Sequence, residues 1–103
     1  MRMIKHLSDE IRHNIHEARE KINEAYKLKD KDRGAADWYK QMASAHLDFN
    51  TNGHACVTRL INEARTNEKD NPMTPGMLAV YEEIHADIVK EAAEVSAMIS
   101  AFK

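Results

Sequence analysis

The chain has 103 residues, of which 43% are hydrophobic and 31% are charged, and its formal net charge is −2. This composition is typical of one soluble helical domain and disfavours a disordered or membrane-bound chain. Lys and Arg are dispersed among Asp and Glu, which disfavours nucleic acid as a partner, and no apolar run reaches the ~18 residues of a membrane span. We expect one domain over residues 1–103 with no membrane association.

A first helix is predicted over about residues 3–28. Its apolar residues recur at alternating three- and four-residue steps, which places them on one helix face. They are Ile4, Leu7, Ile11, Ile15, Ala18, Ile22 and Ala25. Asp32 follows in a short polar connection and is a candidate N-cap of the next helix, because its carboxylate can accept a hydrogen bond from a free backbone N–H.

A second helix is predicted over about residues 35–66. Its apolar stripe consists of Tyr39, Met42, His46, Phe49, Gly53, Val57, Leu60 and Ala64. The segment from Asn50 to Gly53 is poor helix material, since glycine costs ~1 kcal/mol relative to alanine in a helix interior. A break there would give four shorter helices. We favour one continuous helix because the apolar phase crosses this segment without a jump.

A third helix is predicted over about residues 75–102, after a loop at Asn67–Met73 and a Thr74-Pro75 helix start. Its stripe consists of Met77, Tyr81, Ile84, Ile88, Glu91, Val95, Met98 and Phe102. Short connections favour an up-down-up bundle in which the first and third helices are parallel. Three long apolar faces on so short a chain favour oligomerisation, which would complete a four-helix-bundle-like assembly.

Two Glu-x-x-His pairs resemble the way helical bundles present ligands to metals: Glu10 with His13, and Glu82 with His85. At ~100° per residue, however, Glu10 lies on the flank of the first stripe and His13 points away from it. Relative to Ile84, Glu82 points outward and His85 lies at the edge. We therefore interpret these pairs as belonging mainly to solvated helix faces.

The inward polar residues form a different set: Asn14, His46, Asn50 and Glu91, with Asp87 on the flank. An unpaired buried polar group costs ~1–3 kcal/mol, so these residues should hydrogen bond to one another or to water. The leading interpretation is a buried polar layer that fixes helix register. The alternative is a residual ligand, metal or proton-transfer site.

The remaining chemistry-bearing residues are interpreted structurally. Cys56 is the only cysteine, so it forms no disulfide within the chain, and we expect it in the core. Trp38 and Tyr39, with Tyr26 and Tyr81, are expected to pack the bundle ends, and an exposed aromatic binding patch is the alternative. The N-terminal segment lacks the long apolar core of a secretion signal, so a cytoplasmic location is expected.

Several short motifs resemble a group of small, uncharacterised bacterial and prophage proteins with ferritin-like helices. The motifs are Ile4–His6, the run from His54 to Ile61, Met77-Leu-Ala-Val-Tyr-Glu-Glu-Ile-His85 and Glu91-Ala-Ala-Glu-Val-Ser-Ala-Met98. The resemblance implies a ferritin-like bundle that binds metal through glutamates of the first helix and a Glu-x-x-His pair of the second. Here Asn14 and Arg19 replace the acidic residues, and no such pair occurs around His46, which implies a lost metal centre.

The leading functional hypothesis is a non-enzymatic protein, with homodimer favoured, that acts by associating with itself or with another protein and needs no cofactor. The alternative is a degenerate metal-binding oxidoreductase that uses His46, Asp87 or Glu91 together with His54 or His85. Mixed imidazole and carboxylate ligands suit iron, manganese or zinc. A small nucleic-acid or phage regulatory protein is a more distant possibility.

Overall fold

A computed structural model describes residues 2–66 and 75–103 of the chain. It confirms the all-α bundle, with helices α1 (Arg2–Leu28), α2 (Arg33–Thr66) and α3 (Pro75–Ala101). The predicted loop at Asn67–Met73 and the helix cap at Thr74 lie outside the described residues. The bundle measures 58 × 16 × 16 Å. Within the described ranges, none of the helices combines the length and the apolar character needed to cross a membrane.

The turn between α1 and α2 is closed by backbone hydrogen bonds and by the predicted cap. The N–H groups of Lys31 and Asp32 donate to the Leu28 carbonyl at 3.0 and 2.8 Å. The Asp32 carboxylate accepts a hydrogen bond from the Ala35 N–H at 3.1 Å. A carboxylate in this place satisfies a free donor and complements the positive end of the helix dipole, so Asp32 determines where α2 begins.

Helix α2 is continuous through Asn50–Gly53, as the unbroken apolar phase predicted. A Cβ atom at Gly53 would lie only 3.2 Å from Ile11 Cγ1 on α1. The glycine is therefore explained by a close approach of two helices and not by a turn. The low helix propensity of glycine is the energetic cost of this close contact between α1 and α2.

Side-chain contacts between the helices establish the up-down-up topology. His46 contacts Asn14, whereas Gly53, further along α2, contacts Ile11, so α1 and α2 are antiparallel. Arg19 bonds to Glu94 at 3.2 Å, and Tyr26 bonds to the Met98 carbonyl at 2.8 Å. In these last two contacts the higher residue number on α1 pairs with the higher residue number on α3, so α1 and α3 are parallel.

The core contains most of the first predicted stripe and only part of the other two. Its buried members are Ile4, Ile11, Ile15, Ala18, Ile22, Ala25, Ala36, Ala43, Val57, Ile61, Ile88, Val95 and Phe102. The predictions for Phe49 and Glu91 are wrong, because both side chains are exposed. The residues of α2 that face the core include Ala43 and Asn50. On α3 the inward position is taken by Ala92, one residue after Glu91.

The C-terminal end of α3 is fixed by a ring of cations around Phe102. The buried Phe102 ring meets the Tyr26 ring edge-on at 5.1 Å between centroids. Lys29, Arg33 and Lys40 place their charged groups 5.0–5.7 Å from the same ring. Arg33 and Lys40 also donate to the carbonyls of Lys103 and Phe102. Cation–π contact and carbonyl capping thus anchor α3 to the α1–α2 turn.

Replacing Asp32 with alanine is expected to lower the free energy of unfolding by ~1 kcal/mol, the usual cost of losing an N-cap. Urea unfolding followed by circular dichroism measures the change. Asp30→Ala, in the same turn and exposed, serves as the matched control. Equal effects of the two substitutions would contradict the capping role of Asp32.

Gly53→Val is expected to lower the free energy of unfolding by about 1–3 kcal/mol, because the added methyl groups force α1 and α2 apart at Ile11. Gly76→Val is the control, since a Cβ at Gly76 meets nothing within 4 Å. It should have a much smaller effect in the same unfolding experiment. A neutral Gly53→Val variant would show that the close approach is not required.

Candidate functional site

Asn14 and His46 form the one hydrogen bond between predicted layer members in the described part of the chain. Both side chains are half-buried, and His46 Nδ1 lies 3.2 Å from Asn14 Oδ1. In the tautomer with its proton on Nδ1, His46 donates to the Asn14 carbonyl oxygen. The bond joins α1 to α2 at one level, so a slip of either helix by one turn would break it.

Asn50 lies one turn beyond His46 and is buried without a partner. Asn50 is 6% exposed, and neither Oδ1 nor Nδ2 has a hydrogen-bond partner among the residues that the structure describes. The predicted partner on α3 is missing because Glu91 is exposed and Ala92 takes the inward position. Asp87 is exposed as well. The layer therefore has no acidic member, which corrects the prediction for Glu91.

A histidine pair joins α2 to α3 beyond Asn50. The rings of His54 and His85 stack with centroids 4.5 Å apart and planes 17° apart. The Thr58 hydroxyl donates to the His54 carbonyl at 2.9 Å and lies 3.1 Å from His85 Nε2. Because the hydroxyl proton is already used, His85 Nε2 donates to Thr58. His54 Nε2 is buried and has no hydrogen-bond partner within the described ranges.

The candidate metal ligands do not converge in one place. His46 is bonded to Asn14, His54 and His85 stack on each other, and Asp87 and Glu91 are exposed. Across residues 2–66 and 75–103, no group of three or more His, Cys, Asp or Glu side chains has a geometry that could hold a metal ion. Glu10 and His13 are exposed, as their angular positions predicted, whereas Glu82 and His85 are half-buried.

A groove of about 460 Å³ opens between α2 and α3, and we call it the α2–α3 groove. Ile11 and Ile15 of α1 form its floor. Its walls combine small residues with larger and charged ones: Ser44, Leu47, Asp48 and Thr51 on α2, and Ile88, Val89, Ala92, Ser96, Ile99 and Ser100 on α3. Asn50 and His54 also line it. Among the described residues, the buried side-chain atoms without a hydrogen-bond partner thus belong to two residues that line this groove.

The opposite side of α2 carries an apolar row, which we call the outer α2 face. It consists of Trp38, Ala45 and Phe49, which are exposed, and of Met42 and Cys56, which are half-buried. Phe49 is 73% exposed and Trp38 is 61% exposed. The prediction that Trp38 packs a bundle end is therefore wrong, and Cys56 is half-buried, outside the core. Successive members are four, three, four and seven residues apart, which is heptad spacing with Asn52 at the omitted position.

The spacing of this outer row is visible in the sequence, but the row shares residues with the predicted second stripe. Met42 and Phe49 fit both rows, and spacing alone cannot say which row faces the core. The signal that separates them is the run Ala36, Ala43, Asn50, Val57, at strict seven-residue intervals. Small residues at the first two positions suit the close packing of α1 against α2.

Comparison of the chain with protein-family models, curated proteins and solved structures found no match. The resemblance to ferritin-like prophage proteins stays a prediction. The features of the described residues that bear on function are the outer α2 face, the Asn14–His46 bond and the α2–α3 groove.

Proposed function

We propose that this chain is a non-enzymatic helical-bundle protein that acts by self-association, forming a homodimer through the outer α2 face. The observation that carries the proposal is the exposure of two large aromatic side chains, Phe49 at 73% and Trp38 at 61%, on one face of one helix. They are eleven residues apart, which brings them back to the same side after about three turns. Burying such a side chain contributes ~1.5–3 kcal/mol.

A second copy of the chain suits this face because an antiparallel pair of α2 helices matches large residues with small ones. We place the two-fold axis at the height of Leu47 along α2. Trp38 then meets Cys56 of the second copy, and Phe49 meets Ala45. Met42 then meets Asn52. A parallel pair would instead place Trp38 against Trp38 and Phe49 against Phe49. Interdigitation of large and small side chains favours the antiparallel dimer.

The Asn14–His46 bond supports the proposal in a different way. It spans α1 and α2 on the flank of the outer face, where both residues are half-buried. The bond fixes the register of α1 and α2, so the position of the outer α2 face along the bundle axis stays the same relative to α1. We assign this pair a structural role in presenting the dimer surface.

The first test is the mass in solution. We expect the wild-type chain to sediment at micromolar concentration with twice its 11.8 kDa chain mass. Phe49→Ser should shift the protein toward monomer because it removes the central apolar contact. Val80→Ser is the control, since Val80 is 54% exposed but lies on α3. A monomeric wild type, or a Phe49→Ser variant that stays dimeric, contradicts the proposal.

The second test reports the orientation of the dimer through Cys56. In the antiparallel register, the thiol introduced by Trp38→Cys lies opposite Cys56 of the second copy, so mild oxidation should give a crosslinked dimer on a non-reducing gel. Adding Cys56→Ser to that variant should abolish the crosslink. A parallel dimer would behave differently: the wild type would crosslink through Cys56, and the double variant would still crosslink.

A further inference from the structure

Asp48 is the one lining residue of the α2–α3 groove that carries a formal charge in the described part of the chain. Its side chain is exposed, and it forms no hydrogen bond or ion pair with another described residue. The positions three and four residues before and after it on α2 carry no charge. A carboxylate beside low-dielectric walls attracts a cation, and the neighbouring turns of α2 do not supply one.

Residues with hydroxyl groups accompany Asp48 along the groove. Ser44 and Thr51 lie one turn before it and one turn after it on α2, and Ser96 and Ser100 lie across the groove on α3. Ser44 is half-buried and the other three are exposed. A hydroxyl oxygen accepts a hydrogen bond from an N–H group. The groove walls therefore offer neutral acceptors in addition to the Asp48 carboxylate.

The register of α2 against α3 places the carboxylate in the middle of the groove. Thr58 contacts His85 at one end of this helix pair, and Lys40 contacts Phe102 at the other. Because both helices rise equally per residue, Asp48 lies at the height of about residue 94 of α3. Ser44 and Ser96 lie within about one turn of that height. Their side chains and the carboxylate therefore belong to one section of the groove.

The apolar part of the groove lies on both sides of this section. Leu47, Val89, Ala92 and Ile99 line it. Val89 is 45% exposed, and the other three are half-buried, so each keeps surface that a bound molecule can cover. The groove volume of about 460 Å³ lies in the range of ~300–1,000 Å³ that is typical of small-molecule sites. The space suits a small molecule with an apolar body.

We propose that the α2–α3 groove binds a small organic ammonium ion, in which one protonated amine is attached to an apolar body. The ammonium group forms an ion pair with Asp48. It has three donors, so it also donates to the hydroxyl groups of Ser44 and Ser96. The apolar body covers Val89 and Ala92.

The charge of Asp48 decides between this ligand and its alternatives. An anionic molecule would meet the carboxylate as a like charge, and a neutral apolar one would remove water from the carboxylate without replacing its hydrogen bonds. The site is also separate from the outer α2 face. Thr51 and Phe49 are two residues apart, and ~100° per residue turns them to nearly opposite sides of α2.

Phenethylamine, which is protonated at neutral pH, is a suitable probe, titrated in the millimolar range into ¹⁵N-labelled protein. We expect saturable shifts of the backbone amide resonances of Asp48, Ala92 and Ser96. The neutral phenethyl alcohol should bind about fivefold more weakly because the ion pair is lost, and the anionic phenylacetate should give no saturable shift. Equal affinities for the amine and the alcohol, or no saturable shift with the amine, would overturn the proposal.

Asp48→Asn keeps the size of the side chain and removes its charge. This variant should bind phenethylamine about fivefold more weakly and phenethyl alcohol as the wild type does. Asp87→Asn is the matched control, since Asp87 is exposed on α3 and does not line the groove. Added sodium chloride should weaken amine binding to the wild type more than to Asp48→Asn. An Asp48→Asn variant that still prefers the amine contradicts the proposal.

Ser96→Phe provides an independent check, because it places a large side chain at an exposed position of the groove wall. This variant should keep the wild-type helical circular dichroism and lose the shifts caused by both the amine and the alcohol. Retained shifts would place the binding site elsewhere and contradict the proposal. Dimer mass, measured in parallel, should be unaffected by Ser96→Phe, so failure of this site and failure of the proposed dimer are distinguishable.

Discussion

The close approach of α1 and α2 is the constraint on which the rest of the structure depends. At Gly53 the two helices are so near that an added Cβ would lie 3.2 Å from Ile11. Buried alanines on both helices permit the same closeness along their length: Ala18, Ala25, Ala36 and Ala43. A pair packed this tightly behaves as one unit, and α3 has to pack against its side. Most of the packing between helices in the described residues lies along this α1–α2 seam, where dispersion contacts accumulate.

The position of α3 follows from this arrangement. Its C-terminal end is anchored at Phe102 by the cations of the α1–α2 turn, and its middle is held by the stack of His85 on His54. The α2–α3 groove opens between these two anchors, and it is lined on α3 by Ala92, Ser96 and Ser100 together with Ile88, Val89 and Ile99. Asn50 of α2 lines the same groove, and its amide atoms are buried without a hydrogen-bond partner among the described residues.

Much of the fold could be predicted from the sequence because it depends on local signals. Helix bounds, the Asp32 cap and continuity through Gly53 follow from apolar spacing and capping chemistry. It was harder to predict which residues of α2 and α3 face the core. Ile88, Glu91 and Val95 fit the helical period as well as Ile88, Ala92 and Val95 do, and only the burial cost of a carboxylate separates the two rows. The groove could not be predicted, since it depends on how far α3 stands from α2.

Helix α2 differs from its neighbours in the number of faces that it uses. One face packs on α1, a second borders the groove and α3, and a third exposes Trp38 and Phe49. A helix with one partner needs a single apolar stripe, so apolar residues on the outer face are not required by the fold of one chain. Phe49 and Asn50 are adjacent in sequence, yet one is an exposed apolar group and the other a buried polar one. Each reverses the usual preference for burial, and association through the outer α2 face would resolve the reversal at Phe49.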